Sequence, residues 1–241
     1  MSRISYENYG ELASRLMNTT LIAGRYGVQK EAERRIVADV YQKLKLEPRD
    51  SLLEIGCNVG NLLVPLSFLV ARCSGIDHPA CLAKLRTRHP GENLDLIEGN
   101  FLDLQITDSF GKLLCYSVLH CIGQGELFPF IDKALALLTP GGRALFGDLP
   151  NASLKARFLA SNVGKEFEKE WRGMLVKSTS QPSANPPGLE PDPDTASFDD
   201  DRLMEIVLRY RNLGFHVYLL PQPPDLPFGN TREDLLIVKP D

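Results

Sequence analysis

Hydrophobic residues recur at two spacings along this chain of 241 residues, and the spacing changes near residue 50. Between residues 28 and 44 an apolar side chain stands at every fourth position, which is typical of a helix with one buried face. From residue 50 onward, short apolar runs of strand length alternate with helical stretches. The predicted strands are 51–55, 73–77, 93–98, 112–117 and 143–148, and the predicted helices between them are 61–71, 79–88 and 127–138. This alternation predicts a parallel sheet covered by helices on both faces.

The regular alternation stops after the fifth predicted strand. Residues 151–174 have helical periodicity, which predicts one helix. Residues 178–194 hold five of the seventeen prolines and almost nothing apolar, which favours a flexible loop. A last helix is predicted to start after a capping Asp199 or Asp200 and to end before Gly214.

Two further apolar runs close the sequence, at 215–220 and 234–239. Because no helix separates these runs, we expect them to pair antiparallel. The sequence therefore predicts a three-layer α/β fold with a seven-stranded sheet whose last strand is antiparallel.

Charge and apolar content restrict the partners. The chain has 27 Lys and Arg against 31 Asp and Glu, a net charge of −4, and it has no long basic run. We therefore expect no nucleic-acid partner. The longest apolar run, residues 62–71, is about half the length of a membrane span, so no membrane partner is expected.

The cysteines indicate a reducing environment. Their number is odd and no pair has CxxC spacing, so we expect neither a disulfide framework nor a zinc site. No other cluster signals a metal, and a cytoplasmic location fits this pattern. The five cysteines are Cys57, Cys73, Cys81, Cys115 and Cys121.

The most informative segment is a glycine-rich turn between the first strand and the first helix of the alternating region. It contains Glu54, Gly56, Cys57, Asn58 and Gly60. Such a turn lets the backbone approach a ligand closely and directs helix N–H groups at it. The GxGxxG fingerprint of dinucleotide-binding proteins is absent, and a carboxylate stands two residues before the first glycine instead.

This spacing resembles motif I of the class I S-adenosylmethionine-dependent methyltransferases, which is written (D/E)xGxGxG. Glu54, Gly56 and Gly60 match the motif, and Asn58 replaces its middle glycine. Asparagine tolerates left-handed backbone angles better than most residues, so the turn can keep its shape. The resemblance implies that this whole segment, Cys57 included, binds S-adenosylmethionine.

Two later positions extend the resemblance. Asp77 ends the second predicted strand, where the family has an acid that binds the ribose hydroxyls; a helix cap is its alternative role, because Pro79 follows. His78 then lies beside the adenine or ribose. Asn100 and Phe101 occupy the place of the family's acid and hydrophobic residue at the adenine, where the Asn100 amide accepts a hydrogen bond and Phe101 packs.

The segment after the fourth predicted strand resembles the corresponding region of small-molecule methyltransferases. It runs from Tyr116 and Ser117 to His120, and the resemblance places Ser117 at the cofactor. His120 is either a general base facing the methyl acceptor or an ordinary histidine at a strand end. Tyr116 is a second, weaker catalytic candidate for which packing is the simpler role.

The resemblance implies a Rossmann-like methyltransferase that moves a methyl group from S-adenosylmethionine to an O, N or C atom of a small-molecule acceptor. The four predicted parts are an N-terminal helical lid (1–46), the cofactor-binding core (47–150), a cap insertion (151–198) and the C-terminal part of the core (199–241). Aromatic residues in the first part suggest that it closes over the cofactor. A homodimer stays open.

Three alternatives remain at this stage. Asn58 and Asn100 depart from the family pattern, which leaves a non-catalytic binding protein with the same fold. A nicotinamide-dependent oxidoreductase shares the strand–turn–helix arrangement. A methyltransferase acting on protein or RNA is the third, although the absence of a basic stripe weighs against RNA.

Overall fold

A seven-stranded sheet forms the centre of the computed structural model, which describes residues 2–89, 91, 93–178 and 192–241. The strands are β1 Ser51–Ile55, β2 Arg72–Asp77, β3 Leu94–Glu98, β4 Phe110–Tyr116, β5 Leu138–Pro150, β6 His216–Pro221 and β7 Arg232–Val238. The strand order is β3-β2-β1-β4-β5-β7-β6, and β7 runs antiparallel to both of its neighbours. The predicted three-layer α/β fold with an antiparallel last strand is confirmed.

Helices cover both faces of the sheet, because successive strand residues point to opposite faces and are apolar on each. The helices are α1 Arg3–Arg15, α2 Thr19–Ile22, α3 Lys30–Leu44, α4 Leu63–Ser67, α5 Pro79–Arg88, α6 Leu127–Ala136, α7 Ala152–Ala160, α8 Asn162–Ser178 and α9 Asp200–Asn212. In β4, Leu113 and Cys115 pack in one buried cluster with α6 and α9, whereas Leu114 and Tyr116 pack in the other with α3, α4 and α5.

The single helix predicted over 151–174 is wrong, because Ser161 divides it into α7 and α8. The backbone of Ser161 is extended, and its hydroxyl oxygen accepts the Gly164 N–H at 3.0 Å as the first turn of α8 begins. A Cβ at Gly164 would stand 1.9 Å from the Phe158 carbonyl oxygen, so only glycine allows the two helices to approach so closely.

Other boundaries also moved. The helix predicted over 61–71 shortens to α4, in which Pro65 removes one backbone donor and the Ser67 hydroxyl bonds the Val64 carbonyl at 2.7 Å. The predicted cap for the last helix is confirmed, with Asp199 accepting the Arg202 N–H at 2.8 Å. Most of the predicted flexible loop lies outside the described residues. No helix within the described ranges is long and apolar enough to cross a membrane.

Candidate active site

The glycine-rich turn after β1 has left-handed backbone angles at three positions. Gly56 has φ +79°, Asn58 φ +49° and Gly60 φ +81°. A Cβ at Gly56 would stand 2.4 Å from a methyl of Val118, so the turn excludes any larger residue there. Asn58 keeps the left-handed shape, and its side-chain amide donates to the Ile22 carbonyl at 3.2 Å. The residue that replaces the motif's middle glycine therefore ties the turn to α2.

Two buried carboxylates face this turn. Asp77 accepts the backbone N–H groups of Asn58 and His78, both at 2.6 Å, and burial raises its pKa above the ordinary value. Glu54 Oε2 is buried and has no hydrogen-bond partner among the described residues. Burial and the Asp77 charge raise the pKa of Glu54 to about 8. A site that leaves a buried carboxylate oxygen unpaired is suited to a ligand that brings a donor.

Two adjoining clefts open at this edge of the sheet, and Gly56, Asp77 and Val118 line both. The turn cleft has a volume of about 500 Å³ with its mouth and is lined by Tyr9, Ala23, Arg25, Glu54, Gly56, Cys57, Asn58, Asn61, Leu62, Asp77, Tyr116, Ser117 and Val118. The apolar slot, of about 270 Å³, is lined by Tyr6, Ile55, Gly56, Ile76, Asp77, Gly99, Asn100, Phe101, Val118 and Phe130. Together they form one elongated site at the carboxyl ends of parallel strands, where ligands bind in such sheets.

The structure brings most of the predicted site residues together. Only Gly60, His78 and His120 line neither cleft. Gly60 shapes the turn, since a Cβ there would meet Leu85 at 2.8 Å. His78 caps α5 by accepting the Ala80 N–H at 3.1 Å, and its ring packs on Tyr6 of α1 with centroids 4.8 Å apart. Capping therefore belongs to His78 rather than to Asp77.

A charged cluster lies where β4 and β5 end. Ser117 and Asp148 both have left-handed backbones, with φ +60° and +61°, and the Ser117 hydroxyl donates to the Asp148 carboxylate. Arg25 donates to Ser117 Oγ at 3.0 Å and stands 3.7 Å from Asp148 Oδ2, while Arg232 Nε stands 3.7 Å from Oδ1. Arg25 Nη1 also forms an ion pair with Glu33 Oε1 at 3.3 Å. Non-glycine residues held in strained conformations cluster at functional sites.

His120 follows β4 in a short 3₁₀ turn and adjoins this cluster. Its Nδ1 is buried and has no partner among the described residues. Burial and the positive charges of Arg232 and Arg25 lower the pKa of His120 to about 4, against an opposing effect of Asp148. The imidazole is therefore neutral at pH 7, with a lone pair or N–H available.

Tyr116 lines the turn cleft, but its hydroxyl is committed elsewhere. The oxygen accepts the Gln222 side-chain N–H at 2.9 Å, and the ring lies so close to Gly147 that a Cβ there would stand 2.3 Å from it. Burial and the nearby Asp148 and Asp234 raise the pKa of Tyr116 well above its ordinary value. This geometry favours packing and orientation over proton transfer.

A third, larger opening lies beyond Arg232, between α7, α8 and the segment that leads into β7. We call it the cap cleft; it measures about 1440 Å³ with its mouth. Its lining includes Tyr26, Lys155, Phe158, Phe167, Glu168, Trp171, Phe228 and Arg232.

Sequence reasoning missed Glu33, Arg232 and Asp234, which hold the charged cluster. Asp234 is fully buried and accepts the Asp148 backbone N–H at 2.8 Å and the Lys43 ammonium at 2.7 Å. No motif marks these residues, and Arg232 and Asp234 lie 84 and 86 residues from Asp148 in the chain. The one sequence feature that could have indicated Asp234 is its charge beside the apolar run of β7, where charged side chains are rare. No cluster able to hold a metal occurs in the described part of the chain.

Residues 52–142 match a family model described as a methyltransferase domain. The malonyl-[acyl-carrier protein] O-methyltransferase of Haemophilus ducreyi is 22% identical over 179 residues, covering 70% of this chain and 69% of that protein. The ubiquinone biosynthesis O-methyltransferase of Nitrobacter winogradskyi is 29% identical over 133 residues, covering 54% and 48%. The match thus spans about half of the second relative.

Among solved structures, phosphoethanolamine N-methyltransferase 1 of Haemonchus contortus, in complex with phosphoethanolamine and S-adenosylhomocysteine, superposes with a TM-score of 0.73 at 13% identity. The superposition covers 98% of this chain and 49% of that one, and it supports the fold. The matched domain, the order of the motifs and the seven-stranded sheet agree. This chain therefore carries a methyltransferase domain over residues 52–142, within the fold of the class I, S-adenosylmethionine-dependent methyltransferases.

Proposed function

We propose that this chain methylates a small molecule that enters through the cap cleft, with S-adenosylmethionine held in the turn cleft and the apolar slot. The observation that carries the proposal is the unpartnered Glu54 oxygen beside Asp77 in the turn cleft. Asp148 links this cleft to the cap cleft, because it accepts from Ser117 of the turn cleft and lies 3.7 Å from Arg232 of the cap cleft. When bound, the cofactor supplies an electrophilic methyl group that already has a good leaving group.

The residues of the two clefts fit the chemistry of this cofactor. Asp77 is a carboxylate acceptor for ribose hydroxyls, and the unpaired Glu54 oxygen suits an ammonium donor. The apolar slot suits a purine ring, with Phe101 and Ile76 in its walls and the Asn100 amide at its end. Gly56 lets backbone approach the ligand, which no side chain would permit.

The chain's remaining tasks are to align the acceptor, exclude water and accept a proton. His120 is the proposed proton acceptor because it is neutral at pH 7 and has an unpartnered ring nitrogen. Asp148 lies between Arg25 and Arg232, from where its charge stabilises a positive imidazole. Tyr116 serves as a packed support for this arrangement.

The N-terminal part is proposed to act as the lid over the cofactor. Tyr6 of α1 lines the apolar slot, and Tyr9 and Arg25 line the turn cleft. The backbone of Gly10 packs against the His78 ring, where a Cβ would stand 2.4 Å away. Removing residues 1–26 is expected to weaken S-adenosylhomocysteine binding, and unchanged binding would reject the lid.

Calorimetric titration with S-adenosylmethionine and S-adenosylhomocysteine tests the cofactor assignment, with NADH as a negative control. We expect micromolar binding that Asp77→Ala weakens at least tenfold. Asp201→Ala, which changes an exposed aspartate on α9, should bind like the unaltered protein. Binding of NADH instead, or equal binding by the two variants, would reject the assignment.

A cytoplasmic location is part of the proposal, supported by five cysteines that are all buried and unpaired. A homodimer is likewise proposed, and light scattering on the purified chain tests it.

A further inference from the structure

Six of the seventeen residues that line the cap cleft are aromatic. Trp171 meets Tyr26 edge-on with ring centroids 5.3 Å apart, and it meets Phe228 in the same manner at 6.4 Å. Phe167 lies almost parallel to Trp171, with 6° between the ring planes. Phe228 has φ +59°, a conformation that bulky residues rarely adopt. Rings from α8 and from the segment before β7 thus pack together along one side of the opening.

Two positive side chains and one acidic side chain line the cap cleft. Arg232 lines it and lies over the Phe228 ring at 5.2 Å. Lys155 also lines it and forms no ion pair with any residue that the structure describes. The one acidic side chain of the lining, Glu168, is paired with Arg172 at 2.6 Å. An anion entering the cleft therefore meets the Lys155 ammonium, whereas the charge of Arg232 is partly balanced by Asp148 at 3.7 Å.

We propose that the methyl acceptor is a planar aromatic molecule that carries an anionic group such as a carboxylate. This inference rests on the function proposed above and names the class of its substrate. The aromatic walls select a flat ring, and Lys155 and Arg232 select a negative charge. An aromatic ammonium compound fits less well, because the Arg232 guanidinium already occupies the face of Phe228.

The cap cleft also borders the residues proposed to handle the proton. Arg232 belongs to its lining and stands 3.7 Å from Asp148, whose carboxylate accepts from Ser117 in the turn cleft. An acceptor held against the aromatic walls is thus adjacent to the charged cluster that separates the two clefts.

Trp171 makes this inference testable without methyl transfer, because it is the only tryptophan of the chain. The full chain is titrated without cofactor, and the fluorescence of Trp171 is followed. The probes are 3,4-dihydroxybenzoate, neutral catechol and benzyltrimethylammonium. We expect 3,4-dihydroxybenzoate to change the fluorescence and to bind at least tenfold more tightly than either other probe.

Lys155→Met removes the available charge and keeps the length of the side chain. We expect this variant to bind 3,4-dihydroxybenzoate about 5- to 10-fold more weakly and catechol unchanged. Lys165→Met, at an exposed position on α8 outside the lining, is the matched control and should behave like the unaltered chain. Thermal unfolding of each variant confirms folding, and Lys155→Gln repeats the test if Lys155→Met unfolds.

Equal or tighter binding of benzyltrimethylammonium would overturn the inference, as would equal losses in the two lysine variants or no response of Trp171 to any probe. The cofactor titration is independent of this result. Absence of cofactor binding with intact 3,4-dihydroxybenzoate binding would reject the methyltransferase function and leave the aromatic anion as a ligand of the cap cleft but not as a methyl acceptor. The reverse outcome would reject only the acceptor class.

Discussion

The turn cleft and the cap cleft are adjacent but are built differently. The turn cleft is shaped by backbone, with glycine or asparagine at left-handed positions and two carboxylates in the last residues of β1 and β2. The cap cleft is shaped by side chains from α7, α8 and the segment before β7, which are far apart in sequence. A backbone-built site tolerates few substitutions, whereas a side-chain-built site can change its ligand by exchanging single residues.

The largest effect is expected in the backbone-built cleft, from Gly56→Ala. The new Cβ would stand 2.4 Å from Val118 at a backbone angle of φ +79°, so the turn must shift. We expect at least a 100-fold loss of S-adenosylhomocysteine affinity by calorimetry and a stability loss of ~1–3 kcal/mol. Gly125→Ala is the control, because its Cβ meets nothing within 4 Å. Similar losses in both variants would show that the turn has no special role.

His120→Ala tests the boundary between the two clefts. General-base catalysis contributes about 10²–10⁴-fold, so kcat should fall at least 100-fold while the Kd for S-adenosylhomocysteine stays within twofold. His216→Ala, at an exposed position on β6, should leave kcat unchanged. A kcat that survives His120→Ala would return this residue to the role of an ordinary strand-end histidine.

The pH profile gives an independent check on His120. With its pKa lowered to about 4, the imidazole is neutral above pH 5 and gains a proton only on further acidification. The rate should therefore hold from pH 7 to 5 and show no acid limb near 6.5. The unfolded chain binds this proton at higher pH, so the His120 contribution to stability is lost as the pH falls from about 6.5 to 4. An acid limb at pH 6.5 that disappears in His120→Ala would contradict the buried environment described here.

Glu54 should give a smaller effect with a distinct signature. Its pKa of about 8 means that it holds a proton at pH 7 in the free protein, and a bound ammonium group would displace that proton. Calorimetry of S-adenosylmethionine in two buffers of different ionisation enthalpy should report proton release at pH 7. Glu54→Gln should abolish the release and weaken binding about tenfold.

The contribution of Glu54 to the stability of the ligand-free protein should depend on pH with the opposite sign to that of His120. Because the folded pKa of Glu54 is raised above 4.5, its contribution declines as the pH rises from about 4.5 to 8. Glu54→Gln should remove this decline and raise the Tm at pH 8. A buffer-independent binding enthalpy in the unaltered protein would show that Glu54 is already ionised.

The same contrast explains what the sequence could predict. Glu54, Gly56 and Asn58 are adjacent in sequence, and their shape depends on local backbone angles, so a short motif identifies them. The contact of Arg25 with Ser117 joins residues 92 positions apart. Its geometry follows only from the packing of α1 to α3 on the sheet. The break at Ser161 was equally hidden, because α7 and α8 share one apolar periodicity.

The smallest effect is expected from Asn58→Gly, which restores the residue that the motif usually has. The change removes the hydrogen bond to the Ile22 carbonyl at 3.2 Å and adds backbone freedom to the unfolded chain. We expect a loss of ~0.5–1.5 kcal/mol in the free energy of unfolding, measured by urea denaturation, and a change in S-adenosylhomocysteine affinity within threefold.

Asn61→Gly provides the comparison, because it also loses an amide contact with the N-terminal part but lies outside the left-handed turn positions. A large gain in affinity from Asn58→Gly would mean that asparagine impairs the turn, and the alternative of a degenerate binding protein would regain support. Unchanged affinity with lower stability would mean that this chain uses the position to fasten the N-terminal part to the turn, at no cost to the cleft.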